Sequence, residues 1–303
     1  MNILVVGAGV IGTVYGAHLG AAGHTVSVLA HGARTDEVAR DGLRARDVMG
    51  DAATDSPVAV LDHSDGETFD LVLVALRRDH FRSAVGQLAQ LSGSPLVLFF
   101  GNNPDGRAAL PADLPGPVFL GFPGVGGTMK AGVANYALIA EQPTALEEAG
   151  DPRLTDFHRT LESRGFAVRR TADMSGWLAY HAVLVASVCA ALYHCQTDPQ
   201  RLSRDREQLS LMCRAIPEGF GALRKQGVVG LPRNLALLHA RPMQPFAVRY
   251  WARSMRSPMG ELAFAAHARR AEPEMRALAR DVLGRLRNDD RQDALRELLS
   301  APV

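Results

Sequence analysis

The sequence predicts an α/β fold in two domains: an N-terminal doubly wound, parallel sheet followed by an all-helical C-terminal domain. Three observations predict it. Short β-like runs alternate with helical patterns from Asn2 to about Val168, the chain is helix-patterned from about Asp173 onward, and 47% hydrophobic with 21% charged residues supplies real cores over 303 residues. The boundary is expected near residue 170, giving domains 1–170 and 171–303.

The elements follow in order. "NILVVG" reads as a first strand, "VIGTVYGAHLGAAG" as a helix and "TVSVLAH" as a second strand; "FDLVLVAL", "PLVLFFG", "PVFLGFPG" and "YALIA" are further strand-like runs, and the character changes after "FAVRR". Strands alternating with helices imply βαβ units and a parallel sheet covered on both faces. In the second half, "RAIPEGFGALRKQG", "GELAFAAHARRA" and "PEMRALARDVLGRLR" are the clearest helical stretches.

Composition excludes several classes of partner. With 33 basic against 32 acidic residues, no electrostatic footprint for nucleic acid or an anionic membrane emerges, and a small molecule is the expected partner. Only Lys130 and Lys225 are lysines; the other basic residues are arginines. Cys189, Cys195 and Cys213 lack metal-ligand spacing and are odd in number, which reads as a reduced, cytoplasmic protein without a metal. The apolar start "MNILVVGAGVIG" has no basic segment before it and breaks at glycines, so it reads as a strand and turn, not a signal peptide. No apolar run is expected to approach the roughly 20 residues that span a membrane.

Gly7, Gly9 and Gly12 form G-x-G-x-x-G directly after a strand and at the opening of a helix. Gly7 permits the tight turn, Gly9 lets the backbone come close to a pyrophosphate, and Gly12 lets the helix pack on the strand. With the next strand inside the same βαβ unit, the motif reads as a Rossmann-type dinucleotide site along Gly7, Ala8, Gly9, Val10, Ile11 and Gly12; the plain alternative is glycines that punctuate a turn. The second strand runs into His31 and Arg34 with no acid until Asp36, so a carboxylate for a free ribose 2′-hydroxyl is missing. Arg34, and Arg77 at the end of "FDLVLVAL", can meet a 2′-phosphate, which favours NADP over NAD; the alternative is a solvated loop arginine.

The combination resembles the ketopantoate reductase (2-dehydropantoate 2-reductase) family. The resemblance rests on the glycine motif, the basic residue Arg77, the asparagine in "LFFGNN", the Trp-led helix "GWLAYHAVLV" and the late glutamate in "MGELAF". It implies that Asn102 sits by the nicotinamide and substrate, that Glu261 is the substrate-side glutamate, and that substrate lies in the cleft between the domains. It also implies a lysine two residues after the tryptophan, where this chain has Ala179, and an asparagine one turn on, where it has Val183. The lysine would hold the substrate carbonyl and supply a proton, so ketopantoate itself is not the expected substrate.

Tyr180 and His181 stand beside the missing lysine. Successive helical residues turn by about 100°, which points Tyr180 and His181 about 100° and 200° from Ala179 and puts His181 on the Trp177 side. Each is either a proton donor or a hydrogen-bonded core residue. His267 lies six residues after Glu261 on a different face and reads as structural. "GFPGVGGT", Gly121 to Thr128, either brings backbone amides toward the substrate or makes a tight turn. The expected function is an NADPH-dependent reductase acting on a C=O or C=N bond, with His181, Tyr180, Asn102 and Glu261 as site residues and a homodimer as an open possibility. The alternative is a nucleotide-binding or non-redox protein that keeps the fold without hydride transfer.

Overall fold

Two runs of β-branched and leucine residues, Asn2–Val6 (β1) and Leu71–Val74 (β6), are buried almost throughout, as central strands covered on both faces must be. The computed structural model describes residues 1–61, 66–110, 112, 114–285 and 292–300, with the backbone alone at positions 78, 79, 82 and 83. The chain divides into two compact units: Met1–Gly101 with Ala109–Met174, and Asn102–Ala108 with Ser175–Val303. The later stretch of the first unit ends at Met174. The segment Asn102–Ala108, expected in the first domain, belongs with the second unit.

In the first unit, β1 is followed by α1 (Val10–Ala21), β2 (Thr25–Leu29), α2 (Ala33–Asp41), β3 (Leu43–Asp47), β4 (Ala53–Ser56), β5 (Ala59–Leu61) and β6. Then come α3 (Arg78–Leu88), β7 (Leu96–Phe100), β8 (Val118–Phe122), β9 (Val125–Lys130), β10 (Val133–Leu138), β11 (Thr144–Glu147), α4 (Pro152–Ser163) and β12 (Val168–Thr171). The main sheet has eight strands in the order β12-β11-β8-β7-β6-β1-β2-β5. It is parallel except where β11 runs against β8.

A second, four-stranded sheet, β4-β3-β10-β9, differs from the sequence reading, which put "YALIA" in the main sheet. Its β9–β10 hairpin begins within "GFPGVGGT", so that segment is the end of one strand, a turn and the start of another. The sheet packs on α1 because α1 carries glycines at every fourth position. A Cβ on Gly16 would lie 2.5 Å from Leu43 of β3, and one on Gly20 would lie 1.9 Å from Ser56 Oγ of β4. Helix residues four apart share a face, so that face has no side chains to hold the second sheet away.

The second unit is helical: α5 (Met174–His194), α6 (Pro199–Arg204), α7 (Arg206–Lys225), α8 (Arg233–Leu238), α9 (Gln244–Arg256), a π-helical turn (Gly260–Ala265), α10 (Ala266–Arg270), α11 (Glu272–Gly284) and α12 (Asp293–Ser300). Asp198 and Asp205 cap α6 and α7 through their side chains, satisfying backbone N–H groups that a helix start leaves free. Helix α5 is long and apolar enough to cross a membrane, which corrects the expectation that no such run exists. Its most apolar stretch is 83% buried in the protein, the pattern of a core helix that is hydrophobic all round.

Candidate functional site

The turn from β1 into α1 shows what each glycine is for. Gly7 has φ +100°, and a Cβ there would press on the Ala75 carbonyl at 2.8 Å, so the turn itself requires glycine. A Cβ on Gly12 would lie 1.9 Å from the Gly7 carbonyl oxygen, which forbids any side chain. Gly9 is different: a Cβ there would meet nothing within 4 Å, and the residue is exposed. Protein packing therefore gives no reason for glycine at position 9, whereas a diphosphate brought against the backbone does. Gly9 is also the N-cap of α1 and makes no side-chain cap, and the first turn holds no acid, so the partial positive end of α1 suits an anion. These residues fit a dinucleotide; Val10 and Ile11 continue the same first turn and Ala8 is buried beneath it.

Arg34 lies against this turn. It stands in the first turn of α2, and its Nε donates to the Ala8 carbonyl at 3.1 Å. Its Nη1 donates to Glu37 Oε2 at 2.7 Å and to the Gly132 carbonyl at 3.4 Å, and its Nη2 donates to Thr13 Oγ1 at 3.4 Å. Glu37, absent from the sequence reading, is its ion-pair partner one helical turn on. His31 is exposed at the end of β2. Arg77 is exposed at the N-cap of α3, with its Nη2 3.0 Å from His80 Nε2.

In the second unit, Asn102 is buried and its Nδ2 reaches Glu274 Oε1 at 3.5 Å, a long hydrogen bond within that unit. The Oδ1 of Asn102 finds no hydrogen-bond partner among the described residues. Glu274 is itself only 8% exposed. The loop is fastened further along: Asn103 Nδ2 donates to the Gly106 carbonyl at 2.7 Å, Arg107 N donates to Ser175 Oγ at 3.3 Å, and Arg285 pairs with Asp105. Gly106, at φ +57°, leaves room for Ser175 at the start of α5.

The Tyr-His pair is buried in the same unit. Tyr180 is 1% exposed and donates its hydroxyl hydrogen to the Val228 carbonyl at 2.7 Å. That bond and its edge-on contact with Phe220 make it a satisfied core residue. The His181 ring stacks on Trp177 at 4.9 Å, as their i, i+4 spacing requires. Burial, helped by nearby His267, pushes the His181 pKa down to about 3, so at neutral pH the ring carries no proton to give as an imidazolium. A general acid near neutrality needs a pKa of about 7, well above this value.

Ala179 and Val183 line a crevice of about 10 Å³ together with Pro104, Gly219, Leu223 and Val282. Glu261 lies in the π-helical turn, 48% exposed on its side chain, and is paired with Arg269; it is not part of the Asn102–Glu274 contact. One signal could have been read from sequence. Glu37 follows Arg34 at ion-pair spacing, but Glu274, in "EPEM", looks like an ordinary exposed acid of a helix's first turn.

Residues 3–141 match the model of the family described as Ketopantoate reductase PanE/ApbA. No curated protein matches the sequence. Among solved structures, the chain is similar to a PanE/ApbA family ketopantoate reductase from Ralstonia eutropha JMP134 (23% identity, TM-score 0.77, covering 99% of this chain and 96% of that one). It is also similar to a 2-dehydropantoate 2-reductase from Geobacter metallireducens GS-15 (18% identity, TM-score 0.76, 99% and 98% covered). A third, from Methylococcus capsulatus, is 19% identical with TM-score 0.74, covering 99% and 95%. Residues 3–141 are thus similar to the ketopantoate reductase PanE/ApbA family, and the whole chain shares its fold with solved 2-dehydropantoate 2-reductases.

Proposed function

We propose that this protein is an NADPH-dependent reductase that transfers hydride to a C=O or C=N bond of a small substrate other than ketopantoate. The observation that carries the proposal is Gly9, a glycine with open space around its missing side chain at the uncapped start of α1. Gly7, Ala8, Gly9, Val10, Ile11 and Gly12 hold the diphosphate through backbone N–H groups, Arg34 and Arg77 serve the 2′-phosphate side, and exposed His31 flanks the adenosine. NADPH, when bound, supplies the hydride. Asn102, with its Nδ2 turned to Glu274, offers its Oδ1 as an acceptor for an N–H or O–H donor on the nicotinamide or substrate. Glu261 contributes from the substrate side.

Proton supply decides the substrate class. Ala179 brings no ammonium group, Tyr180 already spends its O–H on Val228, and His181 is uncharged at neutral pH. A substrate that arrives protonated, such as an iminium, needs none of them. The test is titration with NADPH and NADH by fluorescence, followed by oxidation assays with small oxo-acids and cyclic imines. Tighter NADPH binding with turnover of an imine or of an oxo-acid other than ketopantoate supports the proposal, and an imine alone marks the iminium class; equal affinities, or oxidation by ketopantoate alone, contradicts it.

A second reading, nucleotide binding without hydride transfer, is favoured by the apolar lining around Ala179 and Val183. NADPH binding with no oxidation by any member of the panel is its signature.

A further inference from the structure

Five N–H groups make up a guanidinium's donor set. Four of those on Arg34 are directed at protein acceptors: Nε at the Ala8 carbonyl, Nη1 at Glu37 and the Gly132 carbonyl, and Nη2 at Thr13 Oγ1. Among the described residues, one N–H, on Nη2, is left. A fork that grips a phosphate through two parallel hydrogen bonds is thus already partly occupied, and the closest of its partners, at 2.7 Å, carries a full negative charge.

The surroundings hold this arrangement in place. Gly132 has φ +75° at the tip of the β9–β10 hairpin, and a Cβ there would lie 2.9 Å from Arg44 Nη2 and 3.6 Å from both Arg34 Nη1 and Glu37 Oε2. Arg44 pairs with Asp41 at 3.0 Å and donates to the Ala131 carbonyl at 3.3 Å. Arg34 with Glu37 and Arg44 with Asp41 thus stand at the hairpin tip, and Asp41 is shared with Arg40 at 3.0 Å. The hairpin of the second sheet and the second turn of α2 together fix where the Arg34 guanidinium points.

We infer that Glu37 is a specificity-determining residue that, by pairing with Arg34 beside the glycine turn, limits how strongly the protein prefers a 2′-phosphorylated adenine nucleotide over its 2′-hydroxyl counterpart. This rests on the reading that a dinucleotide binds at Gly7–Gly12. Glu37 repels a 2′-phosphate and holds one face of Arg34; the neutral ribose of the unphosphorylated nucleotide feels neither effect strongly. Removing the carboxylate charge frees Nη1 and raises the preference.

The experiment uses the full chain and two probes that involve no hydride chemistry, adenosine 2′,5′-bisphosphate and adenosine 5′-monophosphate. Their affinities are measured by calorimetry in the wild type, Glu37→Gln and Arg34→Gln, with thermal unfolding recorded for each. Glu37→Gln is expected to raise the affinity ratio of the bisphosphate to the monophosphate about fivefold, the scale of a partly exposed ion pair. Arg34→Gln is expected to bring the ratio toward one. An unchanged ratio in Glu37→Gln overturns the inference, as does a selective loss of monophosphate binding, which would make Glu37 a direct ribose ligand. Wild type that binds neither probe overturns both this inference and the nucleotide reading. A ratio that responds as expected in a protein that oxidises NADPH with no substrate upholds the inference while the reductase reading fails.

Discussion

The glycine turn of the first unit and the start of α5 in the second are both lined by small residues, and the space around those residues is opposite in kind. At the turn, Gly12 is glycine because the chain folds back on itself, while Gly9 is glycine with nothing near it. At α5, Ala179 and Val183 are small because α7, α11 and the Asn102 loop close over them, leaving about 10 Å³. The first pattern leaves a place for a partner, and the second fills one with protein. A residue type alone does not distinguish these cases; the neighbours of its Cβ do.

Two substitutions at the turn sharpen the contrast most. Gly12→Ala drives a Cβ into the Gly7 carbonyl and is expected to cost about 3 kcal/mol of stability, with loss of nucleotide binding. Gly9→Ala is expected to leave the melting temperature unchanged and to weaken NADPH binding about tenfold, since only a bound diphosphate meets the new methyl. Thermal unfolding and fluorescence titration of both variants give the answer. Equal effects on stability would erase the distinction between the two glycines.

Acid probes the closed side of the comparison. Burial pushes the pKa of His181 to about 3 and that of His239 to about 4, below the ordinary value near 6.5. The unfolded chain takes up protons at these sites as pH falls below 6.5, and the folded chain does not until about pH 4 to 3. Stability from neutral burial is therefore full above pH 6.5 and is lost as pH drops through this window, by about 1.4 kcal/mol per histidine per pH unit. Denaturant unfolding at pH 7, 6 and 5 measures it, and the loss between pH 6 and 5 is expected to shrink in His181→Gln. A flat profile would mean that these rings are open to solvent.

The core around α5 gives the next test. Ala179→Lys would have to force a four-carbon side chain into a crevice sized for about one water, so it is expected to destabilise by about 2 kcal/mol and not to create ketopantoate turnover. Gain of that activity with unchanged stability would show the position to be open. The smallest effect belongs to Tyr180→Phe, which removes the hydrogen bond to the Val228 carbonyl and is expected to cost about 1 kcal/mol with NADPH affinity unchanged. A fall in affinity would return Tyr180 to the site.

The sequence exposed the first unit's central strands and glycine turn because their signals are local: a run of five residues, a motif of six, and a strand on either side. The second sheet was hidden because β3 and β4 are short and polar, and because Gly16 and Gly20 disclose their purpose only when Leu43 and Ser56 are known to lie beneath them. At the candidate site, Arg34 was legible by position, whereas its commitment to Ala8, Thr13, Glu37 and Gly132 depends on four segments brought together by folding. His181 was read for its solution pKa, which burial then moved. Glu274 was unreadable because its helical pattern places it among solvent-facing acids, and only its contact with Asn102, 172 residues away, marks it.

The proposed function joins a nucleotide site at the glycine turn to a second unit that has no lysine at position 179. One fluorescence experiment addresses both: titrate the protein with NADPH, then add ketopantoate and follow the reduced-cofactor signal. The account predicts saturable NADPH binding and a rate of loss at least about 100-fold below that of a lysine-bearing family member, the lower end of what general acid catalysis contributes. Absence of binding, or oxidation at a rate comparable to that enzyme, would contradict it.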